Sequence, residues 1–319
     1  MRTIVVTNMA AAPEAPGRGI FVRDQVAALR RLGADVTLTE FAPGDYAQAV
    51  RRLRGLARRE GPFDLVHAHF GLTAFPALAI PARARVLTVH GTDVRHPRTG
   101  RLTRLVARRM DLVAAVSHDL GVDLAGPAPR GTPLPSLGRR GLPTAVLPCG
   151  VAVDRFRPIP RAEARARLGL PPDEPCVLFP ADPGRAGKRF DLAQEAVDGA
   201  RLHTLGTVDP ADVPLWMNAA SVVVLPSDAE GFGLAVLEAL ACDVPVITTP
   251  VGIHPQALQG VAGALCAPYE RDRWRRAIAA ALAQPDPRVD GRSVVAPWSA
   301  DRMAERVHDA WRALLPDVG

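Results

Sequence analysis

Short runs of β-branched and apolar residues alternate along the chain with longer stretches whose apolar positions recur at helical spacing. Ile4-Val5-Val6 reads as a strand, Val22, Val26 and Leu29 fall on one helix face, and Val36-Thr37-Leu38 reads as the next strand. A helix is expected around 46–59, then strands at 64–67 and 85–89, a helix around 102–110 and a strand at 112–116. Strands separated by helices must be joined by crossovers, which favours a parallel sheet covered on both faces.

The alternation breaks at 125–143, where Gly126-Pro127-Ala128-Pro129 and Gly131-Thr132-Pro133 exclude a regular helix and predict a surface loop. After a strand at 144–147, Pro148-Cys149-Gly150-Val151 and Phe156-Arg157-Pro158-Ile159-Pro160 read as a hinge. The pattern then restarts, with strands at 176–180, 202–205, 221–225, 245–249 and 264–266 and helices near 191–197, 213–219, 234–241 and 273–283. A last helix, about 300–315, carries Met303, Val307, Ala310, Trp311 and Leu314 on one face. The expected fold is α/β: two Rossmann-like domains facing each other across a ligand cleft at the carboxyl ends of their strands. Their bounds are 1–154, joined by a C-terminal helix 298–319, and 155–297.

With 319 residues, 48% hydrophobic and 23% charged, the chain can fill two cores and is not disordered as a whole. Charge divides unevenly. Residues 1–150 hold 21 arginines and 11 acids, whereas residues 151–319 hold 18 basic and 22 acidic residues. Arginine supplies every cation except one, a bias that fits GC-rich codons, and the lone Lys188 stands out against it. The four cysteines stand singly beside apolar residues without metal-ligand spacing, as expected of buried thiols in a reducing cytosol. The amino terminus has only a three-residue apolar core and no uninterrupted apolar run reaches 18 residues, so a cytoplasmic protein is expected.

The strongest local pattern is Glu230-Gly231-Phe232-Gly233-Leu234-Ala235-Val236-Leu237-Glu238, where a strand feeds through glycines into a helix. Backbone amides and the helix dipole converge there and attract phosphate. Glu230 and Glu238 flank that cradle at different depths; from spacing alone they either bind a sugar and a ribose or are a dipole-serving acid and a solvated one. Upstream, Asp182-Pro183-Gly184-Arg185-Ala186-Gly187-Lys188-Arg189 is a second strand-to-helix junction, whose cations either stabilise a departing diphosphate or form an ordinary basic loop.

Gly17-Arg18-Gly19 lacks the third glycine of a dinucleotide fingerprint, because Val22 stands there, and reads as a place of close backbone approach to a ligand. His67, His69 and His90 lie at strand ends with Asp93 three residues on, in structural or cleft-facing roles. No Asp-x-Asp pair, nucleophile elbow or P-loop is present, which argues against a divalent ion, a serine hydrolase and a P-loop enzyme. Arg51-Arg52-Leu53-Arg54-Gly55-Leu56-Ala57-Arg58-Arg59 is either a solvated helix face or a surface for anionic lipid. With 5% aromatic residues and no reading motif, nucleic acid is not an expected partner.

On these motifs, together with His90-Gly91-Thr92-Asp93, the hinge and Ala241-Cys242-Asp243-Val244-Pro245, the chain resembles the family 4 (group 1) retaining glycosyltransferases of the GT-B fold along nearly its whole length. The resemblance implies a metal-independent hexosyltransferase without cofactor, using a nucleoside-diphosphate sugar as co-substrate, and a last helix that crosses back to the first domain. It implies catalytic roles for His90, Arg185, Lys188 and Glu230, with Glu230 on sugar hydroxyls and Arg185 and Lys188 on the diphosphate. Donor binding would fall to Gly17, Gly19, the amides of Phe232, Gly233 and Leu234, and Glu238 at the ribose, while His69 and Asp93 would lie on the acceptor side.

Two departures stand out: about one βα unit is missing after Ala200, and Val251-Gly252-Ile253-His254-Pro255-Gln256 puts Ile253 and Gln256 where the family carries a glycine and an acid. Polysaccharide, cell-envelope or glycolipid assembly is the expected setting, with a lipid-linked or other anionic acceptor and peripheral contact at the inner membrane face. The alternatives are decoration of a small metabolite, a nucleotide-sugar epimerase or hydrolase, and a non-catalytic nucleotide-sugar-binding protein.

Overall fold

The computed structural model describes residues 1–127, 133–137 and 141–316. The chain divides into two compact units: Met1–Ala12, Arg18–Gly150 and Ala300–Gly319 form one, Pro13–Gly17 and Val151–Ser299 the other. The division falls after Gly150, short of the expected boundary at 154, because Val151 donates its N–H to the Trp298 carbonyl (2.9 Å) and pairs with Ser299 inside the second unit.

The first unit is built on six parallel strands, β1 (Arg2–Thr7), β2 (Asp35–Glu40), β3 (Phe63–His69), β4 (Ala82–Val89), β5 (Leu112–Ala115) and β6 (Thr144–Val146), in the order β2-β1-β3-β4-β5-β6. Helices α1 (Ile20–Arg31), α2 (Tyr46–Glu60), α3 (Ala74–Ala77), α4 (Thr92–Arg95), α5 (Pro97–Ala107) and α6 (His118–Ala125) connect them. β3 runs on past its expected end at 67 because His67 and His69 are both buried and serve the strand as apolar residues would. Beyond α6 the loop expected at 125–143 holds one bridge, Leu137 to Leu142; its residues 128–132 and 138–140 lie outside the described residues.

The second unit carries five parallel strands, β7 (Cys176–Phe179), β8 (Arg201–Thr204), β9 (Val222–Leu225), β10 (Val246–Thr248) and β11 (Leu265–Cys266), in the order β11-β10-β9-β7-β8. Its helices are α7 (Arg161–Leu168), α8 (Phe190–Ala196), α9 (Val213–Ala219), α10 (Leu234–Ala241), α11 (His254–Ala257), α12 (Arg271–Leu282) and α13 (Gly291–Val295). The four residues of β9, all valine or leucine, are fully covered, as a central parallel strand requires. Between β8 and β9 the chain holds α9 and no further strand, so β8 is a sheet edge.

Both sheets follow the doubly wound order in which the first strand lies between the second and the third. The winding reverses between β1 and β3 and between β7 and β9, the places where such sheets bind ligands beyond their carboxyl ends. The candidate loops 180–189 and 226–233 leave β7 and β9 at the second of these reversals.

The last helix, α14 (Ala300–Leu314), belongs to the first unit. Met303, Val307 and Trp311 recur along one face and pack into a core made by Val5, Leu65 and Val86 of the sheet and Val22, Val26 and Leu29 of α1. Residues 296–298 form a short 3-10 turn in the second unit, not the start of this helix, and 317–319 lie outside the described residues. Among the described residues no helix is long and apolar enough to cross a membrane.

Candidate functional site

In the second unit β7 delivers the chain into a loop that Asp182 turns, its carboxylate accepting the Gly184 N–H at 2.8 Å. Arg189, in the left-handed region at φ 54°, closes the loop; its guanidinium pairs with Asp191 (2.8 Å) and Asp228 (3.1 Å). The Asp228 N–H also reaches the Gly187 carbonyl at 3.0 Å, so the loops after β7 and β9 are tied together. That tie brings Lys188 to Glu230. The ammonium donates to Glu230 Oε1 at 2.5 Å, the Ser227 hydroxyl donates to the same oxygen at 2.7 Å, and Lys188 and Glu230 are only 14% and 11% exposed. Burial would raise the Glu230 carboxyl, but the Lys188 charge and the hydrogen bonds outweigh it and hold the group below its ordinary range. Glu230 is therefore an ionised acceptor at neutral pH.

Three residues beyond Glu230, Gly233 opens α10 at φ 100° without a side-chain cap, leaving the first-turn amides of Leu234 and Ala235 without intrahelical partners. Only glycine fits. A Cβ at this position would stand 2.3 Å from Nε2 of His254. Phe232 is buried and its carbonyl accepts the Ile253 N–H at 2.8 Å, which packs the turn before α11 under the cradle. Glu238 lies half-buried further along α10, and Arg185 is exposed with no side-chain bond among the described residues. The structure thus joins Lys188, Glu230 and the start of α10, and leaves Arg185 outside that cluster. Ser227 and His254 belong to it as well. The sequence singled out neither for a role; Ser227 stands three residues before Glu230, whereas the place of His254 depends on packing across the sheet.

In the first unit the histidines converge. His67 and His69 stack with centroids 4.4 Å apart, and His69 Nδ1 lies 2.9 Å from His90 Nε2. The Trp311 indole, which can only donate, reaches His67 Nδ1 at 3.2 Å, so the His67 proton sits on Nε2 and goes to the Thr88 hydroxyl at 2.7 Å. Burial depresses all three, His69 to about 3 and His67 and His90 well below their usual range, and the neighbouring imidazoles add to the effect on His67 and His90. His90 is thus a neutral ring at pH 7. It lies against Phe21 and Phe70, and Phe70 holds the unusual backbone φ 72°, ψ 138°, a strained state of the kind that clusters at functional sites.

The Asp93 carboxylate is engaged by backbone amides. It accepts the backbone N–H groups of Gly71 (3.0 Å), His90 (3.0 Å) and Gly91 (2.8 Å), and so fixes the loops that carry His90 and Phe70. Gly19, at φ 73°, has a closer reason to be glycine than a ligand: its missing Cβ would lie 2.2 Å from the Met9 carbonyl. Gly17 belongs to the second unit, beside Pro210.

A family model described as Glycosyltransferase Family 4 matches residues 3–130, and one described as Glycosyl transferases group 1 matches residues 183–284. A Bacillus subtilis (strain 168) protein named "Putative teichuronic acid biosynthesis glycosyltransferase TuaC" is 26% identical over 405 aligned positions, covering 98% of this chain and 99% of its own length. Against 319 residues, an alignment of that length means the relative carries insertions that this chain lacks.

Among solved structures, sucrose-phosphate synthase of Thermosynechococcus elongatus superposes with TM-score 0.74 at 21% identity, over 99% of this chain and all of that one. The HepE protein of Anabaena, solved in complex with UDP-glucose, gives 0.71 at 17% identity, over 98% and 100%. These likenesses show the fold, GT-B with two parallel α/β sheets. With both family models matching and a relative aligned from end to end, this chain belongs to the family 4, group 1 glycosyltransferases.

Proposed function

We propose that the second unit binds a nucleoside-diphosphate sugar and that the protein transfers the sugar, with retention and without a metal, to an acceptor hydroxyl in polysaccharide or envelope-glycan assembly. The carrying observation is the Lys188–Glu230 pair beside the uncapped start of α10. The first-turn amides take the distal phosphate, and Lys188, with Arg185 swinging in from its exposed position, neutralises the charge that grows on the leaving diphosphate. Ionised Glu230 accepts hydrogen bonds from donor-sugar hydroxyls, and Glu238 is assigned to the ribose. As the bond from the anomeric carbon to the phosphate oxygen breaks, the acceptor oxygen bonds to that carbon on the same face and its proton passes to the leaving phosphate oxygen. On the first unit, neutral His90, held by His69 and Asp93, is assigned to an acceptor or sugar hydroxyl. HepE was solved with UDP-glucose and the Bacillus relative is named for teichuronic acid biosynthesis, which supports the donor class and the polymer setting.

Calorimetric titration with UDP-, GDP-, ADP- and TDP-glucose in the presence of EDTA tests this reading. Selective binding of one donor is expected; binding of none would overturn it.

An anionic or lipid-linked acceptor gains support from α5. The α2 arginines Arg51, Arg52, Arg54, Arg58 and Arg59 are exposed, but Leu53 beneath them is buried, so α2 offers lipid charge alone. On α5 the exposed Leu102 and Leu105 stand among exposed Arg98, Arg101, Arg108 and Arg109, and α3, with exposed Phe75, packs against both helices. Apolar side chains ringed by cations suit an anionic bilayer surface, at about 1 kcal/mol per basic residue. The wild type is expected to sediment with phosphatidylglycerol vesicles at low salt and to lose them at high salt. Changing Leu102 and Leu105 to Gln should lower the bound fraction severalfold, and equal sedimentation would remove α5 from the proposal.

A further inference from the structure

The ring of His254, the first residue of α11, is fully buried, and its two nitrogens differ sharply in their surroundings. Nδ1 lies 3.0 Å from the Thr249 carbonyl and 2.9 Å from the Thr248 hydroxyl. The carbonyl can only accept, and the Thr248 hydroxyl gives its own proton to the Leu225 carbonyl at 2.8 Å. Nδ1 must therefore carry hydrogen, and in a neutral ring Nε2 is a bare lone pair. That atom is buried and has no hydrogen-bond partner. It is aimed at the start of α10: a Cβ on Gly233 would sit 2.3 Å from it.

A lone pair is the wrong group for that place. The uncapped first turn of α10 favours an anion, and an oxyanion held there would be repelled by a bare nitrogen and attracted by an N–H. The charged groups acting on the ring are Glu230, which favours the protonated form, and Lys188, which opposes it together with burial; Glu238 is the single ionisable residue of α10 itself. Their balance keeps His254 neutral near pH 7. A diphosphate, carrying two further negative charges to the helix start, reverses it.

Building on the donor reading above, we infer that His254 is a proton-linked phosphate ligand: its Nε2 takes a proton from solvent as the diphosphate binds and donates it to a phosphate oxygen. Donor affinity should then fall as pH rises, by up to about tenfold per unit while the proton is being taken up. The same pairing accounts for Gly233, since any side chain there would separate the imidazole from the phosphate.

The test is calorimetry with the four glucose nucleotides from about pH 6 to about pH 8, in buffers of different ionisation enthalpy, which reports the protons bound per site. Sugar nucleotides are diphosphate diesters, ionised throughout this range, so protons taken up belong to the protein. The wild type should take up as much as about one proton per site. His254→Gln, which offers a neutral amide donor near the Nε2 position, should bind without uptake and with a flat pH profile. Uptake unchanged in His254→Gln, or donor binding by the wild type without uptake, overturns the inference and leaves the donor reading standing. Binding of no nucleotide sugar overturns both. If His254→Gln does not fold, ¹⁵N-histidine spectra of the wild type decide the matter: a His254 Nε2 that stays unprotonated with donor bound overturns the inference.

Discussion

Replacing Lys188 with Ala, or Glu230 with Gln, is expected to lower the transfer rate by about 10²–10³-fold with the fold intact, the scale seen when one preorganised stabilising group is removed. The two changes should differ in kind. Lys188→Ala removes the cation that meets the growing charge on the leaving diphosphate, and it takes from the buried Glu230 carboxyl the neighbouring charge that does most to hold it below its ordinary range. Its loss should appear in both nucleotide affinity and turnover. Glu230→Gln keeps a hydrogen-bonding amide of similar shape and leaves the Lys188 charge free for phosphate, so nucleoside-diphosphate binding should persist while turnover of the sugar donor falls. Steady-state kinetics alongside calorimetry separates the cases. Near-normal rates in both variants would move the site elsewhere.

Trp311→Ala should be the most damaging single change to the first unit. The side chain is fully buried among Met303, Val307, Val22 and Leu65, and removing a large aromatic from such a place costs about 3–5 kcal/mol. His67 Nδ1 would lose its donor as well, at about 1–3 kcal/mol for a buried acceptor left unmade. Such a loss is comparable to the whole margin of an ordinary domain, about 5–15 kcal/mol. Trp311→Phe keeps most of the volume and loses the N–H, so it isolates the hydrogen bond and should cost far less. Urea unfolding followed by circular dichroism reads the effect, while tryptophan fluorescence in the same titration reports on the second unit alone, because the remaining Trp216, Trp274 and Trp298 all lie there. A shift under about 1 kcal/mol in Trp311→Ala would show that α14 merely decorates the first sheet.

How legible the molecule was depended on whether sequence neighbours stayed neighbours in space. Helices α9 and α10 fall where periodicity and turn residues put them, because their strand-to-helix junctions are local. The loops holding Lys188 and Glu230 were legible as strand-to-helix junctions for the same reason. Asp93 was legible only as an acceptor-side residue, since nothing local reveals that three backbone amides from two loops close on its carboxylate. His254 was hidden in the opposite way: its partner surface, Gly233, lies across a strand and a turn, and the unpaired nitrogen exists only once both are packed. The arginine bias also hid structure. Arg161 and Arg165 are buried on α7 and hold the backbone carbonyls of Pro285, Pro287 and Ala219, roles no composition count can separate from solvated arginines.

The membership of α14 in the first unit bears on how the protein is made. During synthesis the six strands of the first sheet emerge early, yet the helix that completes their core follows the entire second unit. The second unit is almost contiguous, from Val151 to Ser299, and can close on itself while the first still waits with the apolar side of α1 and its strands uncovered. A helix made after the second unit is thus the first unit's missing piece, and a ribosome stalled shortly before Trp311 would hold one finished unit and one nascent sheet open to misassembly.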